Sequence, residues 1–208
     1  MAGVAPHAHR AIAVLVGPES CGKTTLANYL GRTLAAPVVP EVARTYLTPT
    51  AKSRVGASNA ALVGSYDRQD LLAISERQVA AQEQVLAATD APIVINDTDL
   101  TVIDIWWQEK FGPPSAEFMV LRQRERQLSR TYPRAYLLCY PDLVWQPDPL
   151  RENPTDRRRL FGAYLEVLQR EGWPFRVIWG QGAHRRRLAL EYCRHCLLYT
   201  SPSPRDRG

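Results

Sequence analysis

The stretch "GPESCGKTT" at residues 17–25 has the residue types and spacing of a phosphate-binding loop. Residues 17–24 fit G-x-x-x-x-G-K-[ST], a pattern in which glycines let the backbone wrap around phosphate groups. Lys23 is expected to reach the β- and γ-phosphates, and the Thr24 hydroxyl is expected to bind Mg²⁺. We therefore predict a site for ATP and Mg²⁺ contacted by Gly17, Glu19, Ser20, Cys21, Gly22, Lys23, Thr24 and Thr25. We interpret Cys21 as a small side chain that fills the loop, with a redox role as the alternative.

Acidic residues follow two further stretches that read as strands. Glu41 follows "PVVP", and Asp97 and Asp99 close and follow "APIVIND". Ligands of an open parallel sheet sit beyond the carboxyl ends of its strands, so these acids are expected to face the phosphate loop. An acid there can organise Mg²⁺ or accept a proton from an attacking hydroxyl. We predict that Glu41 takes the proton, that Asp97 organises Mg²⁺ and that Asp99 contacts substrate.

Basic and aromatic side chains nearby could complete such a site. Arg44 lies three residues after Glu41, on the same face if a helix begins there, and could neutralise charge on a transferring phosphoryl group. The alternative is an internal Glu41–Arg44 pair that only orders the turn. Trp106 or Trp107 could stack on a flat ring of a ligand, with packing against the sheet as the alternative.

Other polar positions are weaker candidates. Gln78 and Tyr66 could reach substrate, although structural or solvent-facing roles suit them as well. The arginine triplets at 157–159 and 185–187 are predicted to face solvent.

The surrounding pattern predicts how these residues are positioned. Short apolar runs predict strands at 11–16, 37–40, 91–97, 134–140 and 175–180. Helical patterns fall at 23–34, 67–88 and from Pro154 to Gly172, the last capped by Asn153. Alternating strands and helices predict an α/β fold with an open, mainly parallel sheet of about five strands flanked by helices. Together with the phosphate-binding loop, this is typical of P-loop NTPases.

Composition bounds the class of protein. The chain has 208 residues, a net charge of +5 and no apolar run long enough to span a membrane. The start carries no apolar signal core and the four cysteines are scattered, which favours a cytoplasmic protein. The modest positive charge suits an enzyme that handles phosphates, and we do not expect a nucleic-acid partner. The oligomeric state is left open.

The chain is predicted to have one domain between two non-domain ends. Residues 1–10 are expected to be disordered, and residues 11–195 to form the P-loop domain. Residues 196–206, "CLLYTSPSPRD", back-translate into a sequence that resembles a transposon-type sequencing adapter. We therefore expect residues 196–208 to be non-native; a natural Ser/Pro-rich tail is the alternative.

Four motifs occur together in one order: "GPESCGKTTL", "PEVARTYL", "NDTDLTVIDIW" with "FG" close behind, and "WQPDPLRENP". Over about residues 11–190 the chain resembles the ribosylnicotinamide kinase domain of the bacterial NAD-biosynthesis protein NadR. The resemblance implies a nucleotide-kinase-like fold and ATP-dependent phosphorylation of the ribose 5′-hydroxyl of nicotinamide riboside.

Individual residues carry over from that resemblance. It implies roles for Lys23 and Thr24 on the triphosphate and magnesium, for Glu41 and Arg44 as the motif's acid and base, and for Asp97 and Asp99 as the strand-three acids. Asp148 and Arg151 match a D-x-L-R element that looks like a mobile lid, so Arg151 is implied to contact ATP and act in catalysis. The chain departs from the family at Val42 and Pro149, where Tyr and Gly are common.

Three functions remain open from the sequence. The leading interpretation is a kinase of a small-molecule nucleoside, with nicotinamide riboside preferred over other nucleosides. A P-loop ATPase or GTPase with a regulatory or nucleic-acid-linked role is the rival, and a module that holds ATP without turnover is the third.

Overall fold

The computed structural model describes residues 10–48, 66–147 and 155–200, with side chains described as far as 195. Within these residues the strands are β1 (Ala11–Val16), β2 (Val38–Val39), β3 (Ile93–Asp97), β4 (Arg134–Cys139) and β5 (Phe175–Ile178). The helices are α1 (Lys23–Leu34), α2 (Val42–Leu47), α3 (Arg68–Ala87), α4 (Leu100–Phe111), α5 (Ala116–Thr131), α6 (Arg157–Arg170) and α7 (Gly182–Thr200).

The strands form one parallel sheet in the order β2-β3-β1-β4-β5. The register pairs Leu15 of β1 with Asp97 of β3, and Val16 with Leu138 of β4. The carboxyl ends of the three central strands therefore meet at one edge, directly before the phosphate loop. The predicted α/β fold with its five-stranded parallel sheet is confirmed.

Both faces of the sheet are covered, which explains the uninterrupted apolar runs in the central strands. On one face Ala13 and Leu15 pack with residues of α1 and α7. On the other face Ile12 and Val14 pack with residues of α3, α4 and α6. All six residues of β1 are buried, so this strand is a fixed base for the loop that follows it.

Helix α6 corrects one predicted boundary. The helix begins at Arg157 with Asp156 as its N-cap residue, rather than at Pro154. Asn153 and Pro154 lie outside the described residues. Asn and Asp both favour the N-cap position, so residue type alone could not choose between positions 153 and 156. The predicted end is close, since α6 stops at Arg170 and Gly172 has a positive φ of 69°.

The last helix crosses the boundary predicted at residue 195. Helix α7 runs from Gly182 to Thr200, so the backbone of residues 196–200 continues it. Whether those residues are native concerns their origin, and it stays a prediction. Of the described helices, none combines the length and apolar character that crossing a membrane requires.

Candidate active site

The phosphate loop links β1 to α1 and depends on its glycines. Gly17 and Gly22 have φ values of 137° and 79°, which side-chain-bearing residues rarely adopt. A Cβ atom on Gly17 would lie 2.6 Å from the Cys139 carbonyl oxygen, and one on Gly22 would lie 2.8 Å from Leu143. The loop can therefore pack this closely only with glycine at both positions. Helix α1 starts at Lys23, so its N-terminal amides, which lack intrahelical partners, face the loop.

Lys23 spans the loop. Its Nζ donates to the carbonyl oxygens of Gly17 at 2.9 Å and Pro18 at 3.0 Å. Burial alone would lower the pKa of Lys23, but the nearby Cys21, Glu41 and Asp97 outweigh burial and raise it. The ammonium group thus stays protonated and available for phosphate oxygens.

Asp97 closes β3 beside the loop and is 3% exposed. Burial raises the pKa of its carboxyl, and the hydrogen bond with Thr24 together with the charges of Lys23 and Arg44 opposes that rise only in part. Among the residues that the structure describes, its Oδ1 has no hydrogen-bond partner. This carboxylate oxygen and the nearby threonine hydroxyl are oxygen ligands of the kind that Mg²⁺ binds.

Glu41 and Arg44 face the loop from α2. Glu41 is the N-cap residue of α2, and its Oε2 lies 3.9 Å from Arg44 Nε. Gln78 of α3 brackets this turn, because it accepts from Val42 N at 3.0 Å and donates to the Pro40 carbonyl at 3.3 Å. Gln78 therefore supports the backbone on both sides of Glu41. This is the structural role that the sequence offered as the alternative to a substrate contact.

One cavity of about 110 Å³ brings most of the predicted residues together. It is lined by Gly17, Glu19, Ser20, Cys21, Gly22, Lys23, Thr24, Thr25, Glu41, Ala43, Arg44, Leu47 and Trp106. Every predicted nucleotide contact except Arg151 is in this set, and Arg151 lies outside the described residues, as do Asp148 and Pro149. The lining of the cavity thus combines a phosphate loop with an acid, a base and an aromatic ring.

Trp106 lies at the cavity and Trp107 lies in the core. Trp106 lines the cavity and lies 6.0 Å from the Tyr66 ring, tilted by 32°. Trp107 is 1% exposed and packs against Phe118 at 5.3 Å, so the packing alternative holds for it.

Asp99, which was predicted to contact substrate, is placed in the core. Asp99 is 1% exposed and does not line the cavity. Its carboxylate caps α4 by accepting from Thr101 N at 2.9 Å, and it accepts from Arg134 at 3.0 Å and from the Tyr136 hydroxyl at 2.7 Å. The carboxylate is thus occupied by protein donors and anchors α4.

Arg185 was predicted to face solvent, and the structure shows otherwise. It is 5% exposed and donates to the Cys21 carbonyl of the phosphate loop at 2.6 Å. A signal existed in the sequence: Arg185 begins a helical stripe with Ala189, Tyr192 and Cys193, all of them buried. Arg187, by contrast, is exposed as predicted, with a side-chain exposure of 65%.

A larger cleft of about 970 Å³ lies elsewhere, between α4, α5 and the end of α6. Its buried Arg122 is paired with Glu171 at 2.9 Å, and it contains none of the predicted site residues. We assign the site to the smaller cavity, because it is lined by the phosphate loop and by Thr24, the hydrogen-bond partner of Asp97.

Comparisons with known proteins agree with this geometry. A family model described as an AAA domain matches residues 12–187. No curated protein sequence matches the chain. Among solved structures, NadR in complex with NAD and AMP-PNP matches with a TM-score of 0.62 and 19% identity, covering 90% of this chain and 49% of that chain.

Two further structures support the same fold. NadR in complex with NR matches with a TM-score of 0.61 and 17% identity, covering 90% of this chain and 50% of that chain. YorR from Bacillus subtilis, in complex with phosphorylated GDP, matches with a TM-score of 0.51 and 19% identity over 91% of this chain and 97% of that one. The chain spans about half the length of the NadR chains it matches, and at these identities the likeness shows the fold.

Proposed function

The chain belongs to the AAA domain family, and we propose that it is an ATP-dependent kinase that phosphorylates the 5′-hydroxyl of nicotinamide riboside. The observation that carries the proposal is the single cavity shared by the phosphate loop, the Glu41–Arg44 pair and Trp106. An acid and an arginine also serve ATP hydrolysis, but a cavity built only for hydrolysis would not need an aromatic wall beside them. The NadR structure in complex with NR, which has the same fold, supports the choice of acceptor.

The phosphate loop holds the donor nucleotide in this proposal. Lys23 contacts the β- and γ-phosphates, and the amides at the start of α1 face their negative charge. Thr24 and Asp97 would hold Mg²⁺, which supplies neutralisation of charge on the phosphate oxygens. Arg151, carried over from the NadR resemblance, is proposed to cover ATP.

Glu41 acts on the acceptor. The 5′-oxygen of the riboside forms a bond to the γ-phosphorus as the bond to the β–γ bridging oxygen breaks and ADP leaves. The hydroxyl proton passes to a Glu41 carboxylate oxygen, and Arg44 offsets the charge on the transferring group. Glu41 suits this role better than Asp97, because Thr24 is hydrogen-bonded to Asp97 and ties it to the magnesium side.

The cavity wall suits a flat ring. Ala43 and Leu47 of α2 and Trp106 of α4 give an apolar surface next to the Glu41 carboxylate. A nicotinamide ring carries a positive charge in the riboside, so it can stack on Trp106 while the carboxylate nearby favours its charge.

The test measures ADP release by the purified protein with ATP, Mg²⁺ and a panel of nucleosides, and identifies the product by mass spectrometry. We expect nicotinamide riboside to raise ADP release well above the rate without acceptor and to gain one phosphoryl group. Phosphorylation of a different nucleoside would support the kinase activity but contradict nicotinamide riboside as the acceptor. Stimulation by DNA or RNA, with no nucleoside phosphorylated, would instead support a nucleic-acid-linked ATPase.

A further inference from the structure

Arg185, which does not line the cavity, connects the phosphate loop to two other segments. Its Nη2 donates to the carbonyl oxygens of Cys21 at 2.6 Å and Tyr140 at 3.2 Å. Its Nη1 donates to Asp142 Oδ1 at 2.8 Å and to the Gly180 carbonyl at 3.2 Å. The four acceptors belong to the loop, to the segment after β4 and to the turn before α7.

The arrangement is rigid for physical reasons. A guanidinium group that is almost fully buried needs a paired charge and hydrogen-bond partners. Both terminal nitrogens of Arg185 have acceptors, while its Nε has none among the described residues. Asp142 supplies the opposite charge, and its second oxygen accepts from Gly180 N, which fixes the carboxylate in turn. The planar fork of the guanidinium group then holds all of these acceptors at set angles.

The contact with Cys21 has a directional consequence. The C=O and N–H groups of one trans peptide unit point in opposite directions. Because the Cys21 carbonyl is held towards Arg185, the Gly22 N–H of the same peptide unit points away from Arg185. Cys21, Gly22 and Lys23 line the cavity and Arg185 does not, so this N–H can reach a ligand in the cavity.

We propose that Arg185 is a positioning residue that aims the Gly22 N–H at the phosphates of the bound nucleotide. The inference rests on the nucleotide site of the proposed function and does not depend on which acceptor is phosphorylated. Arg185 itself does not line the cavity, so it acts through the Cys21–Gly22 peptide. A purely structural role would be different: Arg185 would then hold α7 in place without affecting phosphate binding.

Calorimetric binding of ADP, AMP-PNP and AMP separates the two roles. Arg185→Met keeps a long apolar side chain but removes every hydrogen bond, and Arg187→Met is the matched control on the exposed side of α7. We expect Arg185→Met to weaken ADP and AMP-PNP binding by about ten- to hundredfold, the size of one charge-assisted hydrogen bond. AMP, which lacks the β-phosphate, should bind both variants and the wild-type chain with similar affinity.

A second variant keeps the test decisive if Arg185→Met does not fold. Arg185→Lys retains the charge, but a single ammonium group cannot reach Cys21, Asp142 and Gly180 with the geometry of the fork. Its ADP affinity should therefore fall while its AMP affinity stays near that of the wild type. Unchanged ADP affinity in a folded Arg185 variant, or an equal loss for AMP and ADP, overturns the proposal. Absence of ADP binding by the wild-type chain would instead refute the nucleotide site itself.

Discussion

Two carboxylates that lie two residues apart should respond to neutralisation in opposite ways. Asp97 is buried beside Thr24, a residue that lines the cavity, whereas Asp99 is bound by three protein donors in the core. We predict that Asp99→Asn lowers the free energy of unfolding strongly and leaves the KM for the acceptor unchanged. Asp97→Asn, the matched control, should leave stability intact and change the dependence on Mg²⁺.

The size of the Asp99 effect follows from its contacts. In Asp99→Asn the remaining oxygen can still cap α4, but the new NH₂ group faces two donors, Arg134 and the Tyr136 hydroxyl. Breaking a buried ion pair costs about 3–5 kcal/mol, and we expect about 3 kcal/mol here because another acceptor remains. Glu125 still supplies a negative charge 3.3 Å from Arg134, and Gln82 still accepts from Arg134 at 2.9 Å. For a chain of this size the loss lowers Tm by about 6–12 °C.

The sign for Asp97 comes from its titration. Burial raises the pKa of this carboxyl in the folded state above its value in the unfolded chain. The folded state therefore binds this proton more tightly, and its stability falls as pH rises through the raised pKa. Asp97→Asn removes that cost, so its Tm at neutral pH should equal or exceed that of the wild type.

Thermal unfolding followed by circular dichroism, together with initial rates at a temperature well below the transition, measures both quantities. The reasoning fails if Asp99→Asn melts like the wild type and raises the acceptor KM, because Asp99 would then contact substrate as the sequence suggested. It fails equally if Asp97→Asn is the variant with the large loss of Tm.

Three further predictions concern the loop and the acceptor side. Lys23→Ala should abolish turnover while the chain still folds, because the lysine charge serves the phosphates; unaltered turnover would remove the whole site assignment. Glu41→Gln should lower kcat by about 10²-fold and leave the affinities for ATP and Mg²⁺ nearly unchanged. Asp97→Asn should raise the Mg²⁺ concentration that gives half of the maximal rate. If each variant shows the effect expected of the other, the roles of Glu41 and Asp97 are reversed. Burial opposes ionisation of Cys21, but the Cys139 hydrogen bond and the charges of Lys23 and Arg185 lower its pKa to about 6. The thiolate absorbance of Cys21, identified as the part that Cys21→Ser lacks, should therefore titrate with a midpoint near that pH. The midpoint should move to higher pH in Cys139→Ala. An unchanged midpoint in that variant would exclude the hydrogen bond as a cause.

Much of the fold and the site could be predicted because the signals are local. The apolar run of β1, the glycine pattern of the loop and the start of α1 follow one another within residues 11–34. Asp97 could be placed because it ends a strand, and strand ends of a parallel sheet share an edge. Each of these predictions uses neighbours in sequence.

Helix α5 shows why the remainder could not be predicted. Its buried residues are Phe118, Arg122 and Glu125, spaced by four and three positions like a core stripe. Two of the three are charged, so the pattern indicates a solvent-facing helix. Arg122 and Glu125 pair with each other at 3.0 Å, but Arg122 also contacts Glu171, which lies 49 positions away in sequence. Periodicity cannot reveal a charge that is buried by pairing with a distant residue.

The backbone at Thr98 explains how one short motif serves both the site and the core. Thr98 has a φ of 77°, an unfavourable conformation for a β-branched residue that costs about 1–3 kcal/mol. The three hydrogen bonds to Asp99 hold the chain on one side of Thr98, and β3 holds it on the other. The strained turn is therefore fixed from both sides, and Asp97 is kept beside Thr24 while the next acid turns inward. The same anchor sets the start of α4, the helix that carries Trp106 to the cavity. The buried Asp99–Arg134 ion pair therefore fixes the positions of the Asp97 carboxylate and the Trp106 ring.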